Sequence, residues 1–170
     1  MSNIIFRKVH INDAQAIIDY LDQIGKESDN LTFGEEGIGY SFEDEVKMIQ
    51  SLDENLNSAM FLAMDQDKIV SIGNLNASKR ERTKHISVLG ISVLKSHWNR
   101  GIGKQMMNTL IEFAKLAPDT KFIHLEVRSD NNVAKHLYES VGFVKNSTKP
   151  MMMYIKDKYY DIDLMILNLK

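Results

Sequence analysis

Apolar positions along this chain follow two periods, and the switches between them mark its elements. Asn3–Val9 alternates apolar and polar residues and predicts a first strand. Asn12 or Asp13 then stands where a helix cap belongs, ahead of Ile17, Ile18, Leu21 and Ile24 on one helical face, with the stop expected near Gly25. Glu27–Tyr40 carries three glycines and no period, so it predicts a long exposed loop. Ser41 and Asp44 have the spacing of a capping box, and Val46, Ile49 and Leu52 continue a second helix from it. Ser58–Met64 and Lys68–Ala77 flank the polar turn Asp65-Gln66-Asp67 as an antiparallel hairpin, and Lys84–Leu94 is a further strand rich in Ile and Val.

Ile102, Met106, Leu110, Phe113 and Ala117 form an amphipathic stripe that ends before Pro118. Lys121–Val127 then predicts a strand and Asn131–Val141 a short helix closed by Gly142. Phe143–Ile155 and Ile162–Leu169 predict a closing hairpin that turns through Asp157–Asp161. The order β-α-α-β-β-β-α-β-α-β-β belongs to the α+β class, in its mixed α/β form, with helices layered on a largely antiparallel sheet.

Length and composition narrow the class further. At 170 residues with 44% hydrophobic content, one domain (1–170) can bury a core without covalent staples. The chain has no cysteine, which removes disulfides, thiolate metal sites and Cys nucleophiles and suits a reducing, cytoplasmic setting. Its first residues lack the apolar core of an export signal and no apolar run nears the ~20 residues of a membrane span, so no membrane association is expected. A net charge of −2 argues against nucleic acid as a partner. The local run Lys79-Arg80-Glu81-Arg82-Thr83-Lys84 is interrupted by Glu and reads as a solvated hairpin turn. His10, His97 and His124 have no ligand spacing and Met151–Met153 reads as strand packing, so no metal is expected.

Candidate chemistry starts at the strand-to-helix turn Trp98-Asn99-Arg100-Gly101-Ile102-Gly103-Lys104. Glycines there let the backbone approach a ligand, and the first N–H groups of the following helix point outward with the positive end of its dipole. A pyrophosphate suits such a place. The P-loop pattern fails because Gln105 follows Lys104, and the dinucleotide pattern G-x-G-x-x-G fails at Met106. A bland glycine turn explains this segment equally well until it is paired with a second one, Asn131-Asn132-Val133-Ala134-Lys135-His136-Leu137-Tyr138 ending in Gly142-Phe143, one strand further on.

Together the two segments resemble the GNAT superfamily of acyl-CoA-dependent N-acetyltransferases, and the resemblance runs over most of the chain. It implies a twisted, largely antiparallel sheet of six to seven strands with about four helices covering both faces. It implies acetyl-CoA as co-substrate, Ile91, Ser92 and Val93 as backbone contacts for the pantetheine arm, and Asn99, Arg100, Gly101, Ile102, Gly103 and Lys104 around the pyrophosphate. Asn131 matches the Asn that contacts pantetheine, and Tyr138 the Tyr whose hydroxyl points at the CoA sulfur. One position departs from the family: Arg or Gln usually stands where this chain has Trp98, and Asn99 replaces a frequent glycine.

The implied activity is transfer of an acetyl group to a primary amine on a small molecule or a peptide. The alternative is a non-catalytic module that binds acetyl-CoA as a sensor. Transfer needs a neutral amine, an oxyanion partner and a proton for the leaving thiolate. Tyr138 is the expected proton donor, and a backbone N–H near a bulge at Gly90–Ser92 the oxyanion partner. Glu126, His85 and Glu36 are candidates for the base, and Glu126, on the strand leading to Asn131, is the one retained beside Tyr138 as catalytic. The apolar closing strands raise the expectation of a homodimer.

Overall fold

In the computed structural model, which describes residues 3–169, the period-two segments become seven strands of one sheet and the period-3.6 segments become four helices. The ends of the expected 1–170 domain, Met1, Ser2 and Lys170, lie outside the described residues. The strands are β1 (Ile4–Lys8), β2 (Ala59–Asp65), β3 (Lys68–Ala77), β4 (Ile86–Val93), β5 (Phe122–Arg128), β6 (Val144–Ile155) and β7 (Lys158–Asn168). The helices are α1 (Ala14–Glu27), α2 (Phe42–Asp53), α3 (Ile102–Leu116) and α4 (Asn132–Ser140). The sheet order is β1-β2-β3-β4-β5-β7-β6, antiparallel at every junction except β4–β5. This is the α+β architecture expected.

Each face of the sheet carries its own apolar cluster. Ile102, Met106 and Leu110 of α3 pack with Leu89, Ile123, Leu125, Val127 and Tyr138 on one face. Ile17, Tyr20 and Ile24 of α1 pack with Ile49, Leu62, Ile72 and Leu94 on the other. The buried stripe of α1 therefore uses Tyr20 where the spacing suggested Ile18.

α1 ends at Glu27, near Gly25 as expected, but Gly25 is a packing residue inside it: a Cβ there would lie 2.2 Å from the carbonyl oxygen of Gly34. The glycine admits the loop after α1 against the helix. One boundary differs from the sequence expectation: the closing hairpin turns at Lys156 and Asp157, both with positive φ, so β7 begins at Lys158, well before Ile162. Consecutive residues with φ > 0 are the mark of the tight turn whose twist matches paired strands.

The parallel junction positions everything that follows. β4 and β5 pair only at Ile86↔Phe122, Ser87↔Ile123 and Val88↔His124. Beyond Val88, β4 stays on β3 as far as Val93↔Ser71, and β5 stays on β7 as far as Arg128↔Ile162. The sheet thus opens into a wedge between residues 89–93 and 125–128.

In a solvated helix, Gly→Ala gains about 1 kcal/mol. At Gly25 the collision with a main-chain oxygen outweighs that gain. We expect Gly25→Ala to lower stability by about 1–2 kcal/mol in urea unfolding.

Candidate active site

The wedge exposes main chain on the β4 side. The Leu94 amide donates to the Val70 carbonyl at 3.0 Å, so in this antiparallel ladder Ser92 and Gly90 also direct their backbone groups at β3. Ile91 and Val93, out of phase by one, direct theirs into the wedge. The Val93 carbonyl is taken by the Trp98 indole N–H at 2.7 Å, which leaves the Val93 N–H and both groups of Ile91. Of the three expected strand contacts, Ser92 is therefore misplaced: its carbonyl accepts from Ser71 Oγ at 2.7 Å and its hydroxyl meets Tyr20 Oη at 2.9 Å. The bulge expected at Gly90 is also absent, since the β3–β4 register runs without a shift. The unmade β4–β5 pairs do what a bulge would have done.

At the mouth of the wedge the chain passes through two left-handed residues, Asn99 (φ 58°) and Gly101 (φ 75°), before α3 begins. Gly101 caps α3 without any side-chain hydrogen bond, and the first helical bond runs from Gln105 N–H to the Gly101 carbonyl. The N–H groups of Ile102, Gly103 and Lys104 thus have no acceptor in the helix, and nothing lies within 4 Å of the Cβ position of Gly101. The cradle fits an anion made welcome by peptide dipoles. Arg100 leans away from it, 3.6 Å from Asp65, which His97 Nε2 also meets at 3.0 Å.

α4 closes the wedge from the α3 face. Asn131 caps it, Oδ1 accepting from the Ala134 N–H at 3.2 Å, so the side chain expected to meet a ligand also starts the helix. Leu137 packs on the first turn of α3, 3.2 Å from where Gly103 would carry a Cβ. Tyr138 is 8% exposed, with its ring against Phe143. Burial alone pushes its phenol up to about 12, with no hydrogen bond to offset it.

Glu126 alternates with the core residues Leu125 and Val127, so it projects from the opposite face to Tyr138. It lies two residues beyond the last paired position of β5, across the wedge from Gly90, and forms an ion pair with Lys149 of β6. Of the other two base candidates, His85 is not brought to this place, whereas Glu36 lies in the loop after α1. His85 precedes the closed end of β4, about 23 Å along the strand from Ser92, with its ring against Phe122. Glu36 accepts from the Gly34 N–H at 2.9 Å, and the backbone bonds of Gly34 and of its own residue hold its pKa below the usual value.

Two side chains tie the loop after α1 to the end of the sheet. Arg128 Nη1 donates to the Asp29 carbonyl at 2.9 Å, and Lys156 Nζ pairs with the Asp29 carboxylate at 2.7 Å. The closing hairpin and the loop after α1 therefore meet over the open end of β5. No run of residues signals such a tie, because its partners are 99 and 127 positions apart. Within the basic run at 79–84, Lys79 pairs with Glu54 and Lys84 with Glu81 and Asp119.

Comparison with known proteins agrees with this geometry. Residues 26–143 match the model of the Acetyltransferase (GNAT) family. Over 74 residues the chain is 36% identical to the N-alpha-acetyltransferase RimI of Mycobacterium tuberculosis, covering 42% of this chain and 44% of that one. Over 143 residues it is 23% identical to the spermidine N(1)-acetyltransferase of Vibrio cholerae, covering 80% and 82%. The chain spans less than half the length of two of the curated relatives it matches, 16% of one and 44% of the other. An acetyltransferase of the GNAT family from Streptococcus pneumoniae superposes with a TM-score of 0.95 at 28% identity, covering 99% and 100% of the two chains. The Salmonella typhimurium protein yncA, solved with acetyl-CoA, shares the fold at a TM-score of 0.86 and 14% identity, covering 98% and 94%.

The left-handed turn has a measurable consequence. Gly101→Ala meets no atom, yet places a Cβ at φ 75°. We expect a loss of about 1–2 kcal/mol in urea unfolding from backbone strain alone.

Proposed function

Because the chain belongs to the acetyltransferase (GNAT) family, we propose that it transfers the acetyl group of acetyl-CoA to a primary amine, the amine attacking the thioester directly. One observation carries the assignment: the wedge between β4 and β5 has an uncapped helix start at its mouth and a buried, unpartnered phenol at its side. Backbone N–H groups at Gly101–Lys104 hold the pyrophosphate, and the pantetheine arm replaces the missing strand pairing along Ile91 and Val93. The N–H of Ile91 or Val93 meets the thioester oxygen and stabilises the charge that develops there. Asn131 lends its amide to the same arm.

Tyr138 and Glu126 then act from opposite faces. Glu126, through water, takes the proton from the acceptor's ammonium, while Tyr138 faces the sulfur. A phenol at about 12 and a thiol near 8.5 differ by about 3.5 units, so full transfer ahead of C–S cleavage is uphill by roughly 5 kcal/mol. Tyr138 therefore donates a hydrogen bond first and its proton only as the bond breaks. Its raised pKa keeps it protonated throughout the neutral and mildly alkaline range, so no alkaline loss of rate below about pH 10 comes from Tyr138.

The acceptor is a primary amine on a small molecule or a peptide. Two relatives are named for spermidine and for an N-alpha amine, so the family leaves the choice open. Cytoplasmic residence belongs to the same proposal and rests on the cysteine-free sequence. So does a homodimer: β6 is an edge strand, and Val144, Met151, Met152, Tyr154 and Tyr159 stand exposed on the closing hairpin.

CoA release with amino acids, polyamines, aminoglycosides and peptide N-termini tests the activity. Tyr138→Phe and Glu126→Gln should each lower kcat by about 10²-fold or more, and binding of acetyl-CoA without turnover on any acceptor would leave a sensor instead. Sedimentation should return twice the 19.5 kDa chain mass, and Met152→Lys with Tyr154→Lys should return the monomer.

A further inference from the structure

Neither motif contains the group that fixes α4 to the sheet. Asp163 of β7 is 0% exposed. Its Oδ1 accepts from Thr148 Oγ1 at 2.7 Å and Ser129 Oγ at 2.8 Å and meets Lys145 Nζ at 2.9 Å. Its Oδ2 accepts from Lys135 Nζ at 3.4 Å, and the same ammonium donates to the Ser129 carbonyl at 2.7 Å. Burial alone would raise the pKa, but Lys145, Thr148, Ser129 and Lys135 hold the group far below the usual carboxylate range. It stays ionised over all working pH values, and the stability it lends is lost only as pH falls through that depressed pKa.

α4 needs such a tie. It is nine residues long and buries only Tyr138, and helices of this length are marginal without tertiary support. Among the described residues, Asp163 is the only partner beyond residues 129–143 to which an α4 side chain hydrogen-bonds. Lys135 stands three residues before Tyr138, one helical turn away. The bond from β7 to Lys135 therefore acts at the turn that carries the phenol. A buried ion pair is poor evidence for stability as such, because desolvation offsets much of its attraction, whereas fixing a geometry is a use that survives that accounting.

We propose that Asp163 is a positioning residue: through Lys135 and Ser129 it sets the depth and tilt of α4 and so places the Tyr138 hydroxyl at the wedge. The proposal rests on the role given to Tyr138 in acetyl transfer. Asp163 itself touches no reacting atom. Its removal leaves the ammoniums of Lys135 and Lys145 without their shared counter-charge.

The test uses Asp163→Asn in the full chain, with kcat, the KM for acetyl-CoA, circular dichroism and the ionisation of Tyr138. The last is followed by NMR of ¹³C-labelled tyrosine, with Tyr138→Phe to assign the resonance. We expect kcat to fall about 10- to 100-fold, since small misplacements of a reacting group cost that much, with the KM for acetyl-CoA held within about threefold. We expect the phenol, silent below about pH 10.5 in the unaltered protein, to begin ionising in that range as α4 loosens and water reaches it. Should Asp163→Asn fail to fold, Lys135→Met reads the same quantities, and Lys135→Arg should restore them in part. A folded variant with unchanged kcat and unchanged Tyr138 ionisation overturns the proposal. So does a loss of stability that moves neither. The ionisation needs no substrate, so a protein that acetylates nothing would sink the assigned activity while this readout still reports on α4.

Discussion

A ladder that is not made governs this molecule. β4 and β5 share three paired positions and then part, each keeping its other neighbour. Unpaired strand edges are normally covered or blunted because their backbone groups need partners. Here the edge of β4 is left at the centre of a sheet, flanked by helices on both faces. The helix start that follows β4 and the helix that follows β5 both point at this opening because the connections are short. Topology, more than any single side chain, brings the anion cradle and the phenol together.

The two ends of the wedge are held by different physics. At its mouth the work falls to main-chain conformation: two residues with positive φ turn the strand into a helix whose first N–H groups stay free. At its flank the work falls to buried polar contacts, with Tyr20 on Ser92 from one side and Asp163 on Lys135 from the other. Burial raises the Tyr20 phenol above its ordinary range, so that hydroxyl pair is neutral and serves as a spacer between α1 and β4.

Local pattern made much of this legible in the sequence. The stripe from Ile102 to Phe113 and the Ser41–Asp44 box gave helices where the molecule has them, because neighbours on one element decide both. The paired segments around Gly101 and Tyr138 gave the turn into α3 and the helix α4 for the same reason. What stayed hidden depends on distant contacts. The reason for Gly25 in α1 is hidden because it answers to a carbonyl nine residues on, not to a cap. Ser92 was assigned to the ligand edge because direction follows from register, which sequence does not state. His85 lies just ahead of β4, at its closed end. The Asp163 network draws on four partners spread from residue 129 to 148, a cluster no local period can announce.

The turn at Asn99–Lys104 holds a last consequence, for how its function is to be mapped. Its free donors are peptide N–H groups of the first helical turn, and truncating a side chain leaves a peptide donor where it was. An alanine scan would pass through Lys104 recording little, and would register Ile102 through lost core packing and Gly101 through strain, neither through a lost donor. Proline and ester replacements delete the donor itself, so the site becomes visible to backbone chemistry and stays nearly silent to ordinary mutagenesis. The same indifference suits Trp98, whose indole N–H takes the Val93 carbonyl while the backbone of the turn keeps its path.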